Sequence, residues 1–212
     1  MSHSDDVRYG VFLVPDAGTS AAVTDITAYL RAQFGLVSAG RFPPHVTLAG
    51  SLPLAVGEAD LLTAVREVAD RHAPIRLTNH GVHRLGDVLV FDVHRSDAGQ
   101  PNQPLLDLVT DVSAAVQPLL RLADGLPADI RDRQSWHGHL SLASHELAER
   151  RDDLRDEVRE FIDQLAVPHP TSSRSGRLAV YRLHHPDWST GWWASFWWEH
   201  IQSFPLAAAT PN

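Results

Sequence analysis

Two tetrapeptides of this chain each set an imidazole two residues before a hydroxyl: His45-Val46-Thr47-Leu48 and His139-Leu140-Ser141-Leu142. Each lies in a short apolar run bounded by turn signals, which predicts a β-strand. On a strand, residues i and i+2 share a face and lie roughly 6.5–7 Å apart. Each segment therefore aims one histidine and one hydroxyl at a common surface, while Val46 or Leu140 and the leucine that follows face the core. Of thirteen histidines, only these two are followed by this pattern. Two imidazoles suit proton transfer near neutral pH, one as base and one as acid. Two hydroxyls suit donation to an oxyanion. That combination suits acid–base chemistry at a centre where negative charge gathers, a phosphate among them, with His45 and His139 as candidate catalytic residues and Thr47 and Ser141 as candidate phosphate-binding ones. Which histidine is base and which is acid is left open by the sequence.

The elements that must position these residues follow a repeated order. Val7 to Val14 predicts a strand, closed by Pro15-Asp16-Ala17-Gly18. A helix capped by Thr19 or Ser20 carries Val23, Ile26, Leu30 and Phe34 at helical spacing and ends near Gly35. Arg41-Phe42-Pro43-Pro44 forces an extended entry into the first histidine strand, 45–50. A second helix runs from Glu58 to His72. Ile75 to His83 and Val88 to His94 predict a hairpin turning at Leu85-Gly86-Asp87. A third helix carries Leu105, Val109, Val112 and Val116, and an acidic loop spans Ala123 to Asp132. The second histidine strand covers about 136–143, and a fourth helix reaches about Ala166. Arg177 to Leu183 and Trp192 to Ile201 form a last strand pair. The two histidines are 94 positions apart, which suggests a duplicated unit with pseudo-repeats over roughly 7–95 and 102–206. The reading is a single bilobal α+β domain over residues 1–212.

Composition narrows the function classes. The chain has 212 residues, 43% hydrophobic and 21% charged, with a formal net charge of −8. That charge argues against broad electrostatic capture of long nucleic acid. It leaves room for a small anion held by a few arginines. The absence of cysteine excludes disulfides and thiolate metal sites. The polar, acidic Met1–Asp6 does not read as a signal peptide, and no apolar run is long enough for a membrane span. A cytoplasmic monomer is expected.

The paired motifs resemble the signature of the 2H phosphoesterase superfamily, in particular its 2′-5′ RNA ligase and cyclic nucleotide phosphodiesterase branch. Pro44 before the first motif and the closing Phe204-Pro205-Leu206 are similar to that family too. The second motif carries Ser141 rather than threonine. The resemblance implies two antiparallel sheets backed by helices, with the histidines facing across a central groove. It implies metal-independent chemistry, without cofactor, on 2′,3′-cyclic phosphates of RNA ends or small nucleotides. The same acid–base pair could run the reverse ligation. The alternative is a non-catalytic RNA or nucleotide-binding module on the same fold.

Further candidates surround the motifs. The phosphate clamp is sought among Arg41, Arg131, Arg133, Arg177 and Arg182. Tyr9, Phe42 and Trp136 are candidates for the groove or for base stacking. Trp192, Phe196 and Trp198 are predicted on one strand face, Trp193 and Trp197 on the other. His137, two before His139, could make a His-x-His metal pair, but no partner carboxylate stands near it in sequence, so no metal is expected. The mixed-sign stretch after Arg150 reads as a solvated helix face.

Overall fold

Residues 8, 10, 12 and 14 alternate with 9, 11 and 13 along the first strand, and both sets contain apolar side chains. Such a strand has two covered faces, and the fold is built around it. The computed structural model describes residues 7–121, 135–150, 152–188 and 191–207. In order, the elements are β1 (Val7–Val14), α1 (Ala17–Phe34), β2 (Val46–Leu52), α2 (Glu58–Ala69), β3 (Ile75–Thr78), β4 (Val82–Leu85), β5 (Val88–Asp92), α3 (Gln103–Val116), β6 (His139–Ala143), α4 (His145–Ala148), α5 (Asp152–Gln164), β7 (Ser172–Ser175), β8 (Arg177–His184) and β9 (Trp197–Pro205). Among the described residues no helix is long and apolar enough to cross a membrane.

The strands form three antiparallel sheets, in the orders β2-β1-β8-β9, β4-β5-β6 and β3-β7. The fold is α+β with helices outside, as expected. Each sheet draws strands from both sequence halves: β1 pairs with β8, β5 with β6, and β3 with β7. Val11 and Leu13 of β1, Leu48 of β2, and Leu140 and Leu142 of β6 join Ile26, Leu30, Val65, Leu108 and Val158 of the helices in one buried core. The other face of the four-stranded sheet carries a separate aromatic layer, with Phe12, Phe42, Tyr181, Leu183 and Phe196.

Several element boundaries differ from the sequence reading. Asp16, not Thr19 or Ser20, caps α1, its carboxylate accepting from Thr19 N at 2.8 Å. An aspartate at this position is a strong N-cap. The run from Ile75 to His83 breaks into β3 and β4. Gly81 adopts φ 94°, and Asn79 Oδ1 accepts its N–H at 2.9 Å, an Asx turn that ends the first piece. The strand read from Trp192 begins at Trp197, because Trp192–Ala194 is a 3₁₀ turn entered through Gly191 at φ 82°. The fourth helix is two. Arg155, read as solvated, is 8% exposed and donates to Leu147 O, Ala148 O and Arg150 O, the carbonyls left where α4 stops. The acidic loop, Ala123 to Asp132, lies wholly outside the described residues.

Candidate active site

Val46, Leu48, Leu140 and Leu142 are each 1% exposed, so strand alternation turns positions 45, 47, 139 and 141 the other way. His45, Thr47, His139 and Ser141 all line one groove of about 390 Å³. That volume is within the range of small-molecule sites. His45 immediately precedes β2, while His139 opens β6.

The two imidazoles are held alike. His45 Nδ1 donates to Pro43 O at 2.7 Å, and His139 Nδ1 donates to His137 O at 2.8 Å. In both cases the acceptor is the backbone carbonyl two residues earlier. A donated Nδ1–H fixes the neutral tautomer with its lone pair on Nε2. His45 also sits between rings: Phe12 lies 4.5 Å away and Phe42 4.8 Å away, both edge-on. Gly10 makes this possible, since a Cβ there would come within 2.3 Å of the Phe12 ring. This environment pushes the His45 pKa down to about 4, first by burial and then by the charge of His139. The Pro43 carbonyl opposes the shift. His45 is thus held neutral at pH 7.

A depressed histidine pKa also acts on stability. The unfolded chain takes up a proton near pH 6.5 that the folded chain refuses until about pH 4, so stability falls as pH drops through that window. The shift is worth about 3 kcal/mol at pH 4. His45→Gln is therefore expected to shrink the difference in unfolding free energy between pH 7 and pH 4 by about that amount, within a factor of two. Denaturant unfolding at both pH values checks it; equal differences in the two proteins would mean that His45 is not held neutral.

The approach to the first motif and the exit from the second are stapled together. Glu146, 6% exposed, accepts from Val37 N at 2.7 Å, Ser38 N at 2.6 Å and the Ser38 hydroxyl. Ser38 Oγ lies 2.9 Å from Ser144 Oγ. Trp136 Nε1 donates to Thr47 O at 3.0 Å, a second tie between the motif segments. Behind His139, His137 Nε2 lies 3.0 Å from Asp92 Oδ1 and its ring stacks on His94. Asp92 is the β5 residue paired with His139. Sequence spacing did not bring this carboxylate to His137. Among the described residues no group of three or more potential ligands is arranged to hold a metal.

The remaining candidates divide by strand face. Phe42 lines the groove. Tyr9 packs with Val11 and Leu13 against the main core, on the opposite face of β1 from Phe12. Trp136 is 6% exposed in the same core. Arg182 pairs across strands with Tyr9, and Glu58 and Glu199 hold its guanidinium at 2.5 and 2.8 Å. Its neighbour Leu183 takes the groove face. Arg177 is exposed near the other end of β8, and Arg41 is exposed with its carbonyl accepting from Trp198 Nε1. Arg131 and Arg133 lie outside the described residues. Among the described residues the groove lining contains no arginine. It does contain Ser38, Ser144, His145, Trp192 and Trp193, which sequence reading did not place there. His145 stacks parallel to Trp193 at 5.9 Å. Ser51, also in the lining, has φ 50° where β2 shifts register against β1. Such a strained bulge re-aims a strand beside a site.

The chain's likenesses fit this geometry. The sequence profile of the 2′-5′ RNA ligase superfamily matches residues 15–185. No curated protein matches the chain by sequence. Among solved structures, E. coli LigT in apo form superposes with a TM-score of 0.54 at 15% identity, over 96% of this chain and 99% of LigT. TT0787 of Thermus thermophilus gives 0.53 at 16% identity, over 96% of this chain and all of the other. LigT complexed with NADP+ gives 0.52 at 15% identity, over 95% and 98%. At these identities the superpositions speak for the fold.

Proposed function

Because the chain belongs to the 2′-5′ RNA ligase superfamily, we propose that it is a phosphodiesterase that opens 2′,3′-cyclic phosphates by two-histidine acid–base catalysis. The observation that carries this reading is the matched pair of imidazoles. Each is locked through Nδ1 to a backbone carbonyl, and each lines the groove together with a hydroxyl two residues on. His45 serves as the base, because the groove keeps it neutral. His139 is left as the acid.

Water attacks phosphorus as His45 Nε2 removes its proton. The bond from phosphorus to one sugar oxygen breaks, and protonated His139 delivers a proton to that oxygen. Thr47 and Ser141 donate to the non-bridging oxygens, where charge accumulates. A phosphomonoester leaves, and the two histidines exchange protons with solvent to reset. With a sugar hydroxyl in place of water, the same ring opening leaves a phosphodiester, and that is the ligation. Phe42, Trp192 and Trp193 offer ring faces and edges to a base. The acidic chain favours an RNA end or a small cyclic nucleotide over long RNA.

Assay of the purified protein against 2′,3′-cyclic nucleotides and 2′-5′-linked dinucleotides tests the proposal. Release of a phosphomonoester from the cyclic compounds is expected. Tight binding of these compounds without turnover would instead support a nucleotide-binding module.

A further inference from the structure

A buried guanidinium keeps its charge, so burial without an acceptor is costly, and native chains supply partners. Two partly or fully buried arginines here follow that rule. Arg155 has three carbonyls and Asp87, and Arg182 has Glu58 and Glu199. Arg8 does not. It is 5% exposed, yet among the described residues nothing accepts a hydrogen bond from it. Its guanidinium lies over the ring of Trp188, 4.6 Å from the centroid. The Trp188 Nε1–H is itself buried without an acceptor. The positive charge of Arg121 is close enough to push Arg8 below its usual range, together with burial. Arg8 and Trp188 thus set donors side by side with no described acceptor. A guanidinium stacked on one face still presents its N–H edge to an anion.

The cluster adjoins the groove. Arg8 shares a face of β1 with Phe12 and pairs across strands with Leu183, and both of these line the groove. Trp188 packs at 5.3 Å on Trp192, another lining residue. Four residues of strand separate Arg8 from Phe12, about 13 Å. Phe12 touches His45.

We propose that Arg8, with the Trp188 indole N–H, holds a second phosphate of the substrate, attached on the 5′ side of the nucleotide whose cyclic phosphate lies between His45 and His139. This rests on the cyclic phosphodiesterase reading and narrows it to substrates with a remote second anion. Arg8 is then a residue that sets specificity, its charge unpaired by any described residue.

The test compares a nucleoside 2′,3′-cyclic phosphate with the same compound carrying a 5′-diphosphate. Wild-type kcat/KM is expected to favour the diphosphate by about tenfold to a hundredfold, the size of one charge-assisted contact. In Arg8→Gln that ratio falls toward one. The same ratio in both proteins, or no preference in the wild type, would overturn the proposal. A second arm needs no turnover: pyrophosphate alone should raise the melting temperature of the wild type more than that of Arg8→Gln. Equal shifts, or none, would overturn it. Arg8→Met should melt at or above the wild type, since an apolar side chain removes an unpaired buried charge; a clear fall would make Arg8 structural and also overturn the assignment. If no cyclic phosphate is opened, the phosphodiesterase reading fails, while the pyrophosphate arm still decides whether the anion site exists.

Discussion

His45→Ala and His139→Ala are each expected to lower kcat by about 10²–10⁴-fold, the usual contribution of a positioned acid or base. Among the described residues no second imidazole is poised to replace either one. His145 also lines the groove, but it lies against Trp192 and Trp193 rather than in a motif pair. The folded state should survive both changes, because each Nδ1 bonds a carbonyl of its own segment and both rings face the groove rather than the main core. Melting curves run beside the rates would separate loss of chemistry from loss of structure. Residues that act as a unit are not additive, so the double variant should be little slower than either single one. A variant that kept near wild-type turnover, or a double variant slower by the product of both losses, would contradict concerted action of the pair.

Why this pair could be read from sequence, and its surroundings less well, comes down to the range of the forces involved. Val46, Leu48, Leu140 and Leu142 bury one face of each motif strand, and period-two alternation then fixes where His45 and His139 point. Residue order is enough for that. Trp136 could have been placed by the same rule, since it falls on the face of Leu140 rather than of His139. Tyr9 could not. Both faces of β1 are covered, one by the main core and one by the aromatic layer, so the pattern of Val7–Val14 does not choose between them.

Long-range pairing was beyond local signals. Ser172–Ser175 has no apolar alternation, yet it forms β7 because β3 offers an edge for pairing. Arg155 reads as a surface helix residue, but the break between α4 and α5 turns the carbonyls of Leu147 and Ala148 toward its guanidinium. The crossing of β8 to β1 mixes the two halves of an apparent repeat, which element order alone does not reveal. Asp92 and His137 are 45 positions apart, and only the β5–β6 register sets them together.

Glu146→Ala is expected to cost about 3–5 kcal/mol of stability, the largest structural loss among single changes near the groove. The carboxylate is buried and accepts from Val37 N, Ser38 N and the Ser38 hydroxyl. Truncation strands three donors in a site that solvent reaches poorly, and bonds to a charged acceptor are each worth about 1.5–3 kcal/mol. For a chain of this size, 1 kcal/mol moves the melting temperature by about 2–4 °C, so a drop of about 10 °C is expected. Glu146→Gln keeps the volume and one acceptor oxygen and should lose roughly half as much. The effect should also reach the chemistry. Ser38 and Ser144 both line the groove, and Glu146 ties the segment before His45 to the one after Ser141. Residual activity below the melting transition should therefore fall in Glu146→Ala at temperatures where His45→Ala is still fully folded. Thermal unfolding and rates measured together on the three variants check this. Melting of Glu146→Ala within about 1 °C of wild type, less than 1 kcal/mol of change, would show that the two motif strands hold their spacing without the staple.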